Sequence, residues 1–310
     1  MWVGPATLGM LLATFAWAQP DLAQIQSRLA EEAEVLQQNA PKSLTRETLV
    51  QRAQLPPSRF RPRGKEAAAE AAQPRFQVRE IISEYSVGPL KQAASPTLVE
   101  FRQTMSVDGR AVQSAESARH ALSLGVRSPD DRLRKRMLED FARHGLVDLA
   151  TDYGLILLAF SKRGMEQMQV EMGESCFIGA DEAVAIGWKQ TSSEAGVLEF
   201  QGKMTARRAL QGTLWVRASD ALPLRIYAWT EHSSADNVTR DEATVDYTLS
   251  SHGFLTPTSV VHRHVVNGNA LTENLYRYDP FKLFVADTEI KFTEVPDMSS
   301  TKTDMPPTKK

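Results

Sequence analysis

The sequence predicts an α+β fold: a curved antiparallel β-sheet of roughly ten or more strands, a half-barrel, covered by helices and preceded by an N-terminal helical segment. Three observations predict it. Between residues 202 and 292, aliphatic and polar residues alternate in run after run. Short turn signals separate those runs. Helix-spaced apolar stripes with clear caps occur ahead of this region, near the N-terminus and again around residues 114–145.

The alternating region organises the chain. In residues 213–218 and 224–229 successive side chains change character, which suits strands with one buried face. Further strands are expected over 242–250, 257–266, 270–278 and 282–292. Ser251-His252-Gly253, Asn267-Gly268-Asn269 and Asp279-Pro280 lie between them, and Asn-Gly is a strong hairpin signal. Leu214, Val216, Leu224, Ile226, Val245, Tyr247, Phe284, Ala286 and Ile290 are expected on one face. Trp215, Arg217, Arg225, Tyr227, Trp229, Asp246, His262 and His264 are assigned to the other.

From the N-terminus, residues 1–18 hold no charged side chain and an apolar run before Ala16-Trp17-Ala18, the pattern of a secretory signal peptide cleaved after Ala18. That stretch is short for a membrane span, and the mature chain is expected in the periplasm or secreted. The single cysteine, Cys176, excludes an internal disulfide, and the net charge of −2 gives no footing for nucleic acid. No transmembrane segment is expected.

Residues 19–55 read as an N-terminal helical segment. Leu22, Ile25, Leu29, Ala33 and Leu36 fall at helical spacing, and a second short helix is expected with Thr45 as its cap and Leu44 and Leu49 as a hydrophobic staple. Residues 56–75, with Arg59, Arg61, Arg63 and Lys65 among prolines and alanines, read as a flexible linker. The β domain then spans 76–295, and 296–310 reads as a disordered tail. Within the domain, strands are expected over 76–85 and 96–107 and a helix over 114–124. A further helix is capped by Ser128, with Pro129 at its first position and Gly145 at its end. The continuous apolar run 155–160 is expected as a central strand buried on both faces.

Candidate chemistry is sparse. His262-x-His264 places two imidazoles on one face of a strand, as a metal pair would require, with Asp246 or Glu273 as a conceivable carboxylate. A zinc site needs three or four ligands and the pair supplies two, so two exposed polar residues on a sheet surface are the simpler reading. Cys176 beside Phe177 and Ile178 is expected to be a buried, inert thiol. Ser299-x-x-Lys302 lies in the tail, and no G-x-S-x-G elbow or phosphate loop occurs. Met165, Met168 and Met172 suit either ordinary packing or an adaptable apolar pocket. No catalytic motif is complete, and no cofactor is called for.

The passage Gly212-Thr213-Leu214-Trp215-Val216, the Asp220 turn and Pro223-Leu224-Arg225-Ile226 resemble the periplasmic lipoprotein-carrier superfamily, the LolA/LolB-like proteins. The likeness covers roughly residues 155–292. It lacks that family's Arg-Pro-Gly segment and adds the long N-terminal part. The resemblance implies an unclosed barrel whose apolar interior takes up acyl chains, with Trp215, Leu224, Ile226, Tyr247 and Phe284 as lining. It thus implies a non-catalytic binder of a lipid or other apolar small molecule, with a cavity of several hundred Å³, on the order of common ligand pockets. Two alternatives stand beside it. One is an envelope interaction module, filled inside and docking a protein partner through the N-terminal helices. The other is a metal-dependent hydrolase centred on His262 and His264.

Overall fold

The computed structural model describes residues 20–55, 74–92, 95–147, 149–193, 196–201, 204–234 and 237–284. The expected signal peptide, nearly all of the linker, the tail, and residues 285–292 with Ala286 and Ile290 lie outside the described residues.

Helix α1 (Leu22–Asn39) opens with a capping box between Asp21 and Gln24 and buries Ile25, Leu29, Ala33 and Leu36, the stripe its periodicity marks out. Strands β1 (Ser43–Gln54), β2 (Phe76–Gln92), β3 (Ser95–Val107) and β4 (Arg110–Ala111) follow. Helices α2 (Ala115–Arg127) and α3 (Asp131–His144) pack against β2 and β3. Next come β5 (Leu149–Thr151), a 3-10 segment (Tyr153–Phe160) and the single-turn α4 (Lys162–Met165). Strands β6 (Met168–Ile178) and β7 (Asp181–Gln190) form one hairpin, and β8 (Val197–Gln201) and β9 (Met204–Arg208) another. The meander is β10 (Gln211–Arg217), β11 (Pro223–Ser233), β12 (Val238–Leu249), β13 (Leu255–Val266) and β14 (Asn269–Tyr278). A two-residue β15 (Lys282–Leu283) follows it.

Among the described residues twelve strands make one open sheet in the order β4-β3-β2-β1-β14-β13-β12-β11-β10-β7-β6, with β15 beside β1; β5, β8 and β9 form a separate three-stranded sheet. The architecture is therefore α+β on a curved antiparallel sheet that does not close. Asn267 and Gly268 both take positive φ, 49° and 79°, the turn that Asn-Gly favours between β13 and β14.

Three local expectations are corrected. Residues 43–54, read as a second helix, are strand β1, which lies between β2 and β14. Its inward residues include Thr45, Glu47 and Gln51, so the alternation of burial is not an alternation of hydrophobicity. The run 155–160, read as a strand, is the buried 3-10 segment; a short apolar run does not distinguish the two by periodicity. Helix α3 is capped by Asp130, whose carboxylate accepts from the Arg132 amide, and not by Ser128.

Candidate functional site

Cross-strand pairing sorts the inner face of the main sheet into layers, because directly opposed residues share a face. One layer reads Ile81, Leu49, Tyr276, Val260, Val245, Ile226, Leu214 and Ile186 across eight neighbouring strands. Every member is at most 3% exposed. The next layer reads Gln51, Asn274, His262, Ala243, Ala228, Gly212 and Trp188. It is small in the middle and aromatic at either side.

The 3-10 segment lies across these layers. Tyr153 stacks on His262 with ring centroids 5.0 Å apart, and Phe160 meets Trp188 edge-on at 5.2 Å. Between them Tyr247 pins the backbone: its hydroxyl donates to the Gly154 carbonyl at 3.1 Å and accepts from the Leu157 amide at 3.3 Å. Leu157 and Phe160 are fully buried. The space a ligand would take is thus filled by the chain itself. A cavity of about 20 Å³ remains beside Tyr153 and His262, lined also by Thr151, Val197, Arg208, Leu210, Thr230 and Asp241. It has room for about one water molecule, not for an acyl chain. Every member of the layer from Leu49 to Ile186 is at most 3% exposed, so among the described residues no chamber of several hundred Å³ opens onto it. Tyr247→Phe is expected to lower stability by about 1–2 kcal/mol, since it strands two buried backbone groups; urea unfolding checks this.

A charged cluster borders the same segment. Arg102 on β3 donates from Nε to both Glu47 oxygens, at 2.7 and 2.9 Å, and from Nη2 to Glu100 Oε2 at 2.5 Å. All three side chains are at most 2% exposed. The rings of Tyr85, Phe141 and Tyr276 stand 5.3, 4.9 and 5.2 Å from the guanidinium carbon. Asp152, just before the 3-10 segment, accepts from the Leu198 amide at 2.5 Å and pairs with Arg207 at 3.5 Å. The cluster therefore carries three carboxyls against two guanidinium groups. Burial, reinforced by Glu47 and Asp152 and opposed by Arg102, pushes the Glu100 carboxyl up to about 7. Burial likewise raises Asp152 to about 6 against the pull of Arg207.

The histidine pair lies on this inner face and not on the outer one. His262 is 1% exposed; Asn274 Nδ2 lies 3.2 Å from its Nδ1, and Gln51 Nε2 donates to Asn274 Oδ1 at 2.8 Å. Its Nε2 faces Asp241 at 3.7 Å, while His264 Nδ1 lies 2.7 Å from the same carboxylate. Burial alone would raise the Asp241 carboxyl, but the hydrogen bonds and charge of the two histidines hold it well below the usual range. The carboxylate partner is thus Asp241. Asp246 pairs with Arg225, and Glu273 with Arg263. Among the described residues no group of three or more His, Cys, Asp or Glu side chains is arranged to hold a metal ion.

Of the residues expected to line a pocket, Ile226 and Tyr247 belong to the central core. Leu224 and Phe284 are also buried, the latter with the Arg127 guanidinium 5.3 Å over its ring. Trp215 is half-buried on the face opposite Leu214 and Val216, paired with Arg225 and Ala185. Cys176 is half-buried, and Phe177 beside it is 73% exposed, so the thiol is not enclosed as expected. Glu47, Glu100, Arg102 and Asp152 escape a sequence reading. The available signal was Val99-Glu100-Phe101-Arg102, opposite charges two apart in a strand whose neighbours are apolar.

No family model and no curated protein matches the chain. Among solved structures it is similar to a LolA superfamily protein from Nitrosomonas europaea, at 9% identity and TM-score 0.28, covering 83% of this chain and 93% of that one. It is also similar to a DUF1329 family protein from Desulfovibrio piger, at 10% identity and TM-score 0.36, covering 87% and 95%. At this degree of overlap neither structure lends the chain a ligand or a role. Among the described residues no helix is long and apolar enough to cross a membrane.

Proposed function

We propose that this chain is an exported, non-catalytic binder of an apolar ligand, a lipid or acyl chain, which lodges on the inner face of the half-barrel in place of residues 153–160. One observation carries the reading. The middle of the continuous apolar layer is covered by an eight-residue 3-10 segment, which meets His262, Tyr247 and Trp188 and has helix α1 packed against it. Runs beyond about four residues are uncommon for that geometry because its hydrogen bonds are poor, and this is the piece of the core that an apolar ligand would replace. Leu224, Ile226, Tyr247 and Phe284 stay the proposed contacts, Tyr247 at the segment's Gly154 end, and Trp215 would join them only through a rim. Native mass spectrometry of protein purified from the periplasm, followed by organic extraction, tests this. A discrete apolar adduct is expected. A clean apo mass, persisting after incubation with membrane lipids, overturns the proposal. It would instead favour a protein-interaction module, for which the packed interior and the exposed Met172 and Phe177 on edge strand β6 speak.

A further inference from the structure

The charged cluster bears on which apolar ligand would fit, an inference that rests on the binding role proposed above. Glu100 is 1% exposed, and its second oxygen, Oε1, is buried without a hydrogen-bond partner; so is the Tyr278 hydroxyl. Both face Gly154. A Cβ added there would come within 2.4 Å of Glu100 Oε1 and 3.5 Å of the Tyr278 oxygen. The end of the apolar segment thus sits against two oxygens that make no close hydrogen bond, with the Tyr85 hydroxyl turned toward the same Glu100 carboxyl. A buried acceptor left unmade costs free energy, and a displacing ligand that supplies donors there gains what the segment cannot give.

We propose that the inner-face site takes a single-chain or acylated amphiphile with a primary ammonium head, its chain replacing residues 155–160 and its head donating to Glu100 Oε1 and Tyr278. An anionic head is disfavoured on the same geometry. Arg102, the nearest cation, already donates to Glu47 and Glu100, while Asp152 adds a third carboxyl. The groups around Glu100 are Arg102 on its own strand, Glu47 on β1, Tyr85 on β2, Tyr276 and Tyr278 on β14, and Tyr247 on β12. Asp152 and Arg207 complete the set. Burial makes all four tyrosines harder to ionise, so none adds charge near neutrality. An ammonium would replace the proton that Glu100 otherwise holds.

The test is calorimetric titration of the full chain with dodecylamine, 1-dodecanol and dodecanoate, each kept monomeric, at pH 5.5 and pH 8. A charge-assisted contact predicts dodecylamine binding roughly tenfold or more tighter than 1-dodecanol at pH 8, with dodecanoate weakest. The preference should shrink as pH falls through the Glu100 titration, and Glu100→Gln should collapse it at both values. Equal affinities, or a preference for dodecanoate, overturn the head-group proposal while leaving apolar binding intact. No binding of any of the three removes the binding reading as well. Uptake from phosphatidylethanolamine vesicles would trace the head to a membrane lipid, and uptake of dodecylamine alone to a free alkylamine; either outcome keeps the ammonium.

Discussion

Arg102→Met is expected to destabilise the fold by about 3–5 kcal/mol at pH 8, the usual cost of removing one partner from a buried ion pair. The reason is local. Glu47 and Glu100 are each 1% exposed on their side chains, and Arg102 is the cation that touches both. Methionine fills much of the volume among Tyr85, Phe141 and Tyr276 but leaves two carboxylates facing one another in an apolar surround. Their escape is to bind protons, so the loss should shrink as pH is lowered toward 5. Urea unfolding of wild type and variant at both pH values checks it. Adding Glu47→Gln and Glu100→Gln to the same chain should recover most of the loss, because the replaced groups then need no counter-charge. If Arg102→Met costs the same at pH 5 and pH 8, the cluster is not held by charge.

How much of this was legible in the sequence follows from what each side chain advertises. The meander was legible because Leu214, Val216, Ile226 and Val245 alternate with polar residues, and because Asn267-Gly268 names its own turn. Strand β1 was not, because Thr45, Glu47 and Gln51 point inward. Its polar residues serve Asp279, Arg102 and Asn274, partners up to hundreds of positions away, and no local pattern announces them. The 3-10 segment failed for the opposite reason. Residues 155–160 are apolar throughout, which fixes their burial and leaves their conformation open. His262 was misassigned to the outer face because polarity stood in for register. Asn274, Asp241 and Tyr153 satisfy it inside, and only the pairing of β13 with β12 and β14 reveals that. The proposed site inherits these gaps. Its apolar contacts could be read from strand alternation, whereas its charged end could not.

Glu100→Gln gives the sharpest pH signature. A carboxyl that goes from 4.5 in the unfolded chain to about 7 in the fold binds its proton more tightly when folded. The stability it contributes is therefore complete below about pH 4.5 and is lost as pH rises through 7, a change of about 3 kcal/mol across the window. Asp152 acts with the same sign between 3.8 and about 6, so wild type should weaken continuously from mildly acid to mildly alkaline conditions. In Glu100→Gln the amide is neutral at every pH. Its oxygen still accepts from Arg102, its NH₂ donates where Oε1 now has no partner, and Arg102 keeps Glu47. The variant should match wild type near pH 5 and exceed it by up to about 3 kcal/mol at pH 8. Thermal midpoints taken across pH 4.5–8.5 should show a flatter curve between about pH 4.5 and 7, with only the Asp152 slope, which ends near pH 6, remaining. Two parallel curves would mean that Glu100 keeps its charge in the fold. The preference for dodecylamine over 1-dodecanol would then persist at pH 5.5 as at pH 8.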